Sequence, residues 1–202
     1  MVTKRAKSAT ALTRLLRNEE VPAVTALDAL HLAKRKFLAG QRIDMGEIAD
    51  ELGVNRVTIY RWVGSREKLI AETLWWLTQR TFESAGRQVT AKGGQRVARI
   101  LARYTLAVMS NGGMQAFLER EGETAMRFLT SRQGELQPRL VRLVQQLLAE
   151  QIAAGRLRLP IPAEEFAFLL TRLIESYVYR SFITGDPSDG SSIEAVLVHM
   201  IC

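Results

Sequence analysis

The 202-residue sequence is poor in the side chains on which most enzyme chemistry depends, with one cysteine, two histidines and five prolines. The single thiol, Cys202, cannot form a disulfide within the chain, so a disulfide-stapled fold is excluded. His31 and His199 are far apart, and we find no metal-binding cluster, glycine-rich phosphate loop or nucleophile elbow. We therefore expect neither an enzyme nor a bound cofactor or metal.

Long apolar runs and alternating patterns are also missing. No apolar stretch is long enough to span a bilayer, and the first residues lack the apolar core of a secretory signal. No segment alternates apolar and polar residues over the length of a strand. With 47% apolar and 24% charged residues, the composition is that of a globular protein with a sizeable core. We expect a cytoplasmic, all-α protein without membrane contact.

Acidic residues are absent from the first 18 positions, although the whole chain carries a net charge of only +7. The cations there are Lys4, Arg5, Lys7, Arg14 and Arg17. Such a segment can follow a phosphate backbone or enter a minor groove, as the arms of DNA-binding domains do. It can equally be a solubilising tail, and the sequence leaves both interpretations open.

A stretch from Ile43 to Trp62 predicts two short helices joined by a tight corner. Asp44 is a favourable N-cap for the first helix, and Gly53 suits the left-handed residue that ends it. Asn55 can cap the second helix. An anchoring helix, a small-residue corner and a short polar helix are the layout of a helix-turn-helix.

The second helix carries groups that suit duplex DNA. Arg56, Thr58 and Arg61 are predicted to read or approach bases, because guanidinium groups bind guanine edges and a hydroxyl can donate to or accept from base edges. Asn55 and Tyr60 are predicted to hold phosphates. Val54, Val57 and Ile59 supply the apolar positions. The alternative is an ordinary helical hairpin with a solvated basic face.

These residues carry a family resemblance. The series Ile48-Ala49, Gly53-Val54-Asn55, Thr58 to Trp62 and Ser65 to Leu69 resembles the DNA-binding domain of TetR-type transcriptional regulators. Asn55, Val63 and Arg66 stand where the family usually has serine, phenylalanine and lysine. The resemblance implies that Arg66 lies against a phosphate, and it adds Trp62 to the DNA-binding region.

The pattern of apolar residues predicts helices from about residue 21 to residue 201. Together with the resemblance, it implies three parts: a basic extension at 1–20, a helix-turn-helix domain at 21–66 and a helical ligand-binding and dimerisation domain at 67–202. The first helix is expected from Val21-Pro22 to Gly40, with an apolar face at Val24, Leu27, Leu30, Ala33 and Phe37. A connecting helix is expected from Arg66 to about Ser84, before a loop that begins at Gly86. Trp75 and Trp76 on this helix must face different directions, one toward each domain or both into core. Further helices are expected near 97–108, 114–121, 123–129, 136–154, 163–183 and 193–201.

The C-terminal part resembles a narrower group, the QsdR-type regulators of lactone and quorum-signal catabolism. The residues that carry this resemblance include Phe117 to Glu121, Ala125 to Ser131 and Arg172 to Tyr179. It implies a small lactone effector, either a γ-lactone or an N-acyl-homoserine lactone. The candidate pocket residues are Trp76, Tyr104, Phe117, Glu121, Met126, Phe128, Arg172, Glu175, Tyr177 and Tyr179. Arg172 and Glu175 have the spacing of a structural ion pair, so that interpretation stays open.

The helices at 136–154 and 163–183 are broadly apolar, and the family pairs its corresponding helices between subunits. We therefore expect a homodimer that places two helix-turn-helix domains on a palindromic operator. The same apolar helix faces can instead fill the core of a monomer. The expected function is a ligand-responsive repressor. A DNA-binding architectural protein without effector and a lactone-metabolising enzyme are the alternatives.

Overall fold

The computed structural model describes residues 24–130, 135–186 and 189–202, apart from the side chain of Phe128. All regular elements in these ranges are helices, which confirms the all-α prediction. None of the helices in this part of the chain is long and apolar enough to cross a membrane. The predicted basic extension at 1–20 and the expected helix start at Val21-Pro22 lie outside the described residues.

The described ranges contain ten helices, numbered here in chain order. They are α1 (Ala26–Leu38), α2 (Met45–Leu52), α3 (Arg56–Val63), α4 (Arg66–Gln88), α5 (Gly93–Met109), α6 (Gly112–Thr130), α7 (Leu136–Ala153), α8 (Ala163–Val178), α9 (Arg180–Thr184) and α10 (Ile193–Ile201).

Helices α1 to α3 form a compact head, and a buried lysine joins the first two. The ammonium group of Lys36 on α1 lies 3.0 Å from the Glu47 carboxylate and 2.5 Å from that of Glu51, both on α2. The hydrogen bond to Glu51, helped by the one to Glu47, raises the pKa of Lys36 against the opposing effect of burial. A buried charge is tolerated here because it is paired.

The corner between α2 and α3 forms as the sequence predicts. Asp44 caps α2, its Oδ1 accepting from the amides of Gly46 at 2.7 Å and Glu47 at 3.1 Å. Gly53 ends the helix with φ +66°, a conformation that costs glycine no steric penalty. Asn55 then caps α3 by accepting from the amide of Val57 at 2.8 Å. The helix-turn-helix prediction is confirmed.

Two element boundaries were predicted wrongly. Helix α4 continues to Gln88, so Gly86 lies inside it and does not begin a loop. A glycine lowers helix stability by only about 1 kcal/mol, and the contacts of a long packed helix outweigh that. The predicted helix at 163–183 is interrupted at Tyr179, which separates α8 from α9.

The apolar face of α1 is also rotated from the predicted one. Leu27 is 64% exposed, whereas Ala29, Leu32, Ala33 and Phe37 are buried. The buried residues follow the three- and four-residue spacing of a helix face, and Leu27, two residues before Ala29, lies about 200° around the helix from it. The predicted face and the observed face both contain Ala33 and Phe37, so the sequence alone did not show which of the two is buried.

The body is built around α5, which packs against α4, α8 and α10, while α7 packs against α8. Helix α6 contacts the head, where the Phe117 ring meets that of Phe37 edge-on at 6.0 Å. The two tryptophans of α4 face different directions, as predicted. Trp76 lies under the Lys34 ammonium group at 3.0 Å, toward α1, and Trp75 lies beside Arg139 of α7.

Candidate DNA-binding face and effector cavity

One side of α3 packs into the head, and the other side is exposed to solvent. Ile59 is fully buried, whereas Arg56, Val57, Tyr60 and Arg61 are exposed. Arg56 donates from Nη2 to the Tyr60 hydroxyl at 3.2 Å, and this hydrogen bond raises the pKa of the guanidinium group. The exposed side therefore presents two guanidinium groups and one phenol, which are groups that bind base edges and phosphates.

Asn55 and Thr58 stand at the margin of this side. The Asn55 side-chain oxygen is occupied by the amide of Val57, so its amide nitrogen is the group left for an incoming phosphate. Thr58 is half-buried and lies between the exposed side and the core.

Val57 was assigned to the apolar positions of the head, and this was wrong. It is 73% exposed and lies beside Arg56 and Arg61. Val57 and Ile59 are two residues apart, about 200° around a helix, so both cannot face one core. The spacing is a signal that the sequence analysis missed. An exposed valine among arginines can contact a thymine methyl group in a major groove.

The structure does not place Trp62 with the other DNA-binding candidates. It is half-buried, packs on the head and lines an apolar groove with Leu27, Leu30 and Val63. Trp62 follows Tyr60 by two residues and so lies on roughly the opposite side of α3. Its large ring contributes to packing between α1, α3 and α4.

The phosphate contact predicted for Arg66 does not fit its geometry. Its Nε donates to the carbonyl oxygen of Ile43 at 2.6 Å, and its Nη2 donates to Glu121 Oε1 at 2.7 Å. Those contacts hold the guanidinium group between the head and the body. Lys68, exposed in the first turn of the same helix, is a better-placed cation for a phosphate.

A cavity of about 80 Å³ lies in the body between α4, α5, α6, α7 and α8, with Phe37 of α1 also on its wall. Most of the lining residues are apolar, namely Phe37, Leu74, Leu77, Ala107, Val108, Met114, Leu129, Leu136, Leu140, Ile174 and Val178. The polar lining residues are Thr78, Thr81, Tyr104, Asn111, Gln137, Glu175 and Tyr179. An apolar wall with a few converging polar groups is the usual composition of a small-molecule site.

Glu175 is the one acidic residue on this wall among the described residues, and it is only 4% exposed. Arg172 Nη1 lies 2.6 Å from Oε2, but the geometry is not that of a hydrogen bond. Burial raises the pKa of Glu175 to about 7, although the charge of Arg172 opposes this. Near neutral pH the protonated carboxyl group is therefore able to donate a hydrogen bond to a ligand oxygen.

Tyr104 and Tyr179 add two hydroxyl groups to the same cavity. The Tyr104 hydroxyl lies 3.5 Å from Thr78 Oγ1, and burial raises the pKa of Tyr104 to about 12. Burial likewise raises the pKa of Tyr179. Both phenols are neutral hydrogen-bond donors at any physiological pH.

Comparison with known proteins gives the family. Residues 92–201, more than half of the chain, match the family described as the tetracyclin repressor-like C-terminal domain. The chain belongs to the TetR family. Its members are transcriptional regulators and not enzymes, so the TetR-type resemblance of the helix-turn-helix and the non-enzyme prediction are both confirmed.

Solved structures with the same architecture include the transcriptional repressor QsdR of R. erythropolis, from the TetR family. It is 23% identical to this chain, with a TM-score of 0.77 over 87% of this chain and 93% of QsdR, which shows a shared fold. A cysteine-substituted variant of the TetR-family regulator CifR, complexed with operator DNA, is 20% identical with a TM-score of 0.46, covering 85% and 94% of the two chains. No curated protein sequence matches the chain.

Within this TetR-family body, three of the predicted ligand-binding residues line the cavity, namely Tyr104, Glu175 and Tyr179. Arg172 does not line it, but its guanidinium group reaches the Glu175 carboxylate from the surface. Arg172 and Glu175 therefore form an ion pair, and Glu175 also lines the cavity.

The other described residues that were predicted to bind a ligand do not line the cavity. Phe117 packs on Phe37, and Trp76 lies under Lys34 and Arg80 because it faces the head. Met126 is half-buried elsewhere on α6. The Tyr177 hydroxyl meets Ser192 Oγ at 3.0 Å. Glu121 binds Arg66, and the Phe128 side chain lies outside the described residues.

Several cavity residues had not been identified from the sequence. Leu74, Thr78 and Thr81 follow one face of α4, and Thr78 is buried there. A threonine in an otherwise apolar stripe is a usable signal, because a buried hydroxyl needs a partner. Asn111 and Gln137 carried no such signal, since each lies near a helix end and meets the cavity only in three dimensions.

Proposed function

We propose that this TetR-family regulator is a homodimeric repressor that binds a palindromic operator through α3 and leaves it when a small lactone occupies the cavity. The observation that carries the DNA-binding half is the outer side of α3, where Arg56, Tyr60 and Arg61 are exposed together. Arg56 and Arg61 approach base edges, Val57 contacts an apolar base edge, and Tyr60, Asn55 and Lys68 hold the phosphates that set the register.

The effector half rests on the chemistry of the cavity. Two neutral phenols and the protonated form of Glu175 are donors, which suits the carbonyl oxygen of an uncharged lactone. A cavity of about 80 Å³ admits a compact ring, whereas a long acyl chain requires its walls to move. A γ-lactone is therefore favoured over an N-acyl-homoserine lactone.

The proposed dimer contact rests on apolar residues that are exposed in the monomer. Phe168 and Leu169 on α8 are 47% and 43% exposed, and Ile152 on α7 is also exposed. On the same helix, Leu170, Ile174 and Val178 are buried within the monomer. The exposed edge of α8 remains for the second subunit. Twofold symmetry then presents two α3 helices to grooves roughly 34–36 Å apart.

A gel shift with the DNA upstream of the gene for this protein, repeated with a panel of γ-lactones and acylated lactones, tests the proposal. We expect a discrete complex that survives excess random competitor and disappears when a γ-lactone is added. A complex that ignores every lactone would indicate the architectural alternative. Binding no tighter than to random DNA at moderate salt would contradict the repressor itself.

A further inference from the structure

Arg66, the first residue of α4, connects the head to the body. Its guanidinium group holds the Ile43 carbonyl in the turn before α2 and the Glu121 carboxylate on α6. The side chains of Arg66 and Glu121 are only 17% and 14% exposed, so water screens their attraction weakly. One side chain therefore links α2, α4 and α6.

Glu121 lies where α6 bends. Its φ of −131° and ψ of 32° are outside the helical range, so the helix is divided into two halves at this residue. The first half carries Phe117 onto the ring of Phe37 in the head. The second half carries Leu129 to the cavity wall. The bend that the sequence predicted near Gly122 thus joins the head and the cavity.

The residue after the bend, Gly122, is contacted by a ring of the body. A Cβ atom on Gly122 would lie 1.9 Å from Cε2 of Phe182, so the glycine lets this α9 ring approach the backbone closely. Phe182 follows Tyr179 of the cavity wall by three residues, which is one helical turn. The bend is held by Arg66 on the head side and by Phe182 on the body side.

We propose that Glu121 is a positioning residue for DNA binding, which acts through Arg66 to fix the orientation of the helix-turn-helix on the body. Removing the carboxylate leaves the guanidinium group without its counterion and frees it to leave the Ile43 carbonyl. The head then samples more orientations, and fewer of them place both heads of a dimer in register. This rests on the proposed binding of DNA but does not depend on the effector.

A double-mutant cycle tests the proposal. The Kd is measured for wild type, Arg66→Ala, Glu121→Ala and the double variant, at several KCl concentrations, with a duplex that the wild type selects from a random pool. We expect each single change to weaken binding about tenfold and the double change to weaken it no further. The salt dependence should keep the wild-type slope, because no phosphate contact is lost.

Two further variants sharpen the result. Glu121→Gln keeps an oxygen that can accept from Arg66 Nη2, so it should retain most of the affinity. Glu119→Ala removes the same charge from an exposed position on α6 and should bind as the wild type does. Should an alanine variant fail to fold, Arg66→Lys and Glu121→Met provide the cycle, since one ammonium group cannot reproduce the paired geometry of the guanidinium group and a thioether cannot replace the carboxylate.

Different failures have different meanings. Additive losses overturn the proposal, as does a slope reduced by about one for Arg66→Ala with no effect of Glu121→Ala, which would assign Arg66 to a phosphate. A wild-type protein that selects no sequence contradicts the proposed operator binding, and the positioning role falls with it.

Discussion

At the scale of single residues, Val57 shows how one exposed apolar side chain bears on specificity. It is surrounded by Arg56 and Arg61 on the free side of α3, and no core packing explains its type. An apolar contact with the C5-methyl group of thymine is available only in the major groove. Val57 is therefore a candidate for reading one thymine of the operator.

We predict that replacing that thymine with deoxyuridine, which lacks only the methyl group, weakens wild-type binding by up to about 1 kcal/mol, the value of one buried methyl group. Val57→Ala should lose this difference and keep its thermal stability, because the side chain is 73% exposed. Titrations of a duplex set in which each thymine is replaced in turn measure the effect. Arg61→Ala is the control, since it should still distinguish the two bases. Equal sensitivity of wild type and Val57→Ala would assign the methyl contact to another residue.

Glu175 predicts a pH dependence of stability. Burial raises its folded-state pKa to about 7 from an ordinary 4.5, so the folded protein keeps the proton over a range in which the unfolded chain loses it. The contribution of this group is fully present below about pH 4.5 and falls as the pH rises to about 7, by at most about 3 kcal/mol.

Urea unfolding at pH 5 and pH 8 measures this contribution. We expect the wild type to lose stability between the two values and Glu175→Gln to lose clearly less, because the amide does not titrate. Glu165→Gln, exposed on the same helix, should behave as the wild type does. A wild type and a Glu175→Gln variant with the same pH dependence would show that Arg172 fully compensates the buried charge.

At the scale of elements, alanine substitution at two glycines is expected to change the free energy of unfolding in opposite directions. A Cβ atom meets nothing within 4 Å at either Gly53 or Gly86. Gly53, however, has φ +66° at the end of α2, whereas Gly86 lies within α4. Only the backbone conformation therefore separates the two positions.

We expect Gly53→Ala to lower the free energy of unfolding by about 1–2 kcal/mol, because the left-handed conformation is strained for alanine. Gly86→Ala should raise it by about 0.5–1 kcal/mol, because alanine loses less backbone entropy in a helix. Chemical denaturation of both variants checks the pair. A stabilising Gly53→Ala change would contradict the left-handed cap on which the α2–α3 corner depends.

At the scale of the whole molecule, the exposed edge of α8 decides the oligomeric state that we propose. A charge at Leu169 would be buried without a partner in a symmetric interface and would meet its own copy nearby. We predict that Leu169→Glu is a folded monomer whose affinity for a two-half-site operator falls by at least about 2 kcal/mol, because bivalent binding is lost. Sedimentation and DNA titration measure the two effects.

Met200→Glu is the control for this substitution, since Met200 is a similarly exposed apolar residue on α10. It should leave both the dimer and the affinity unchanged. A Leu169→Glu variant that remains dimeric would move the interface away from this edge of α8.

Much of the local structure follows from the sequence by itself. The caps Asp44 and Asn55 and the corner at Gly53 depend on interactions within a few residues, so short-range rules located them. The same holds for the all-α class, because helical periodicity is a property of the chain. The break near Gly122 was also predicted, although the side chains that contact the bend come from distant parts of the chain. Tyr104, Glu175 and Tyr179, which were predicted to bind a ligand, line the cavity, and their contact with a ligand stays a prediction.

Only the tertiary structure decided what each side chain faces. Arg66 keeps its motif position, yet its guanidinium group turns to Glu121, 55 positions along the chain. Trp76 and Phe117 are aromatic residues of the body that pack on the head, because α4 and α6 carry them across the boundary between the two. Sequence periodicity determines which residues share a helix face, but the neighbour of that face is set by the packing of helices distant in the chain.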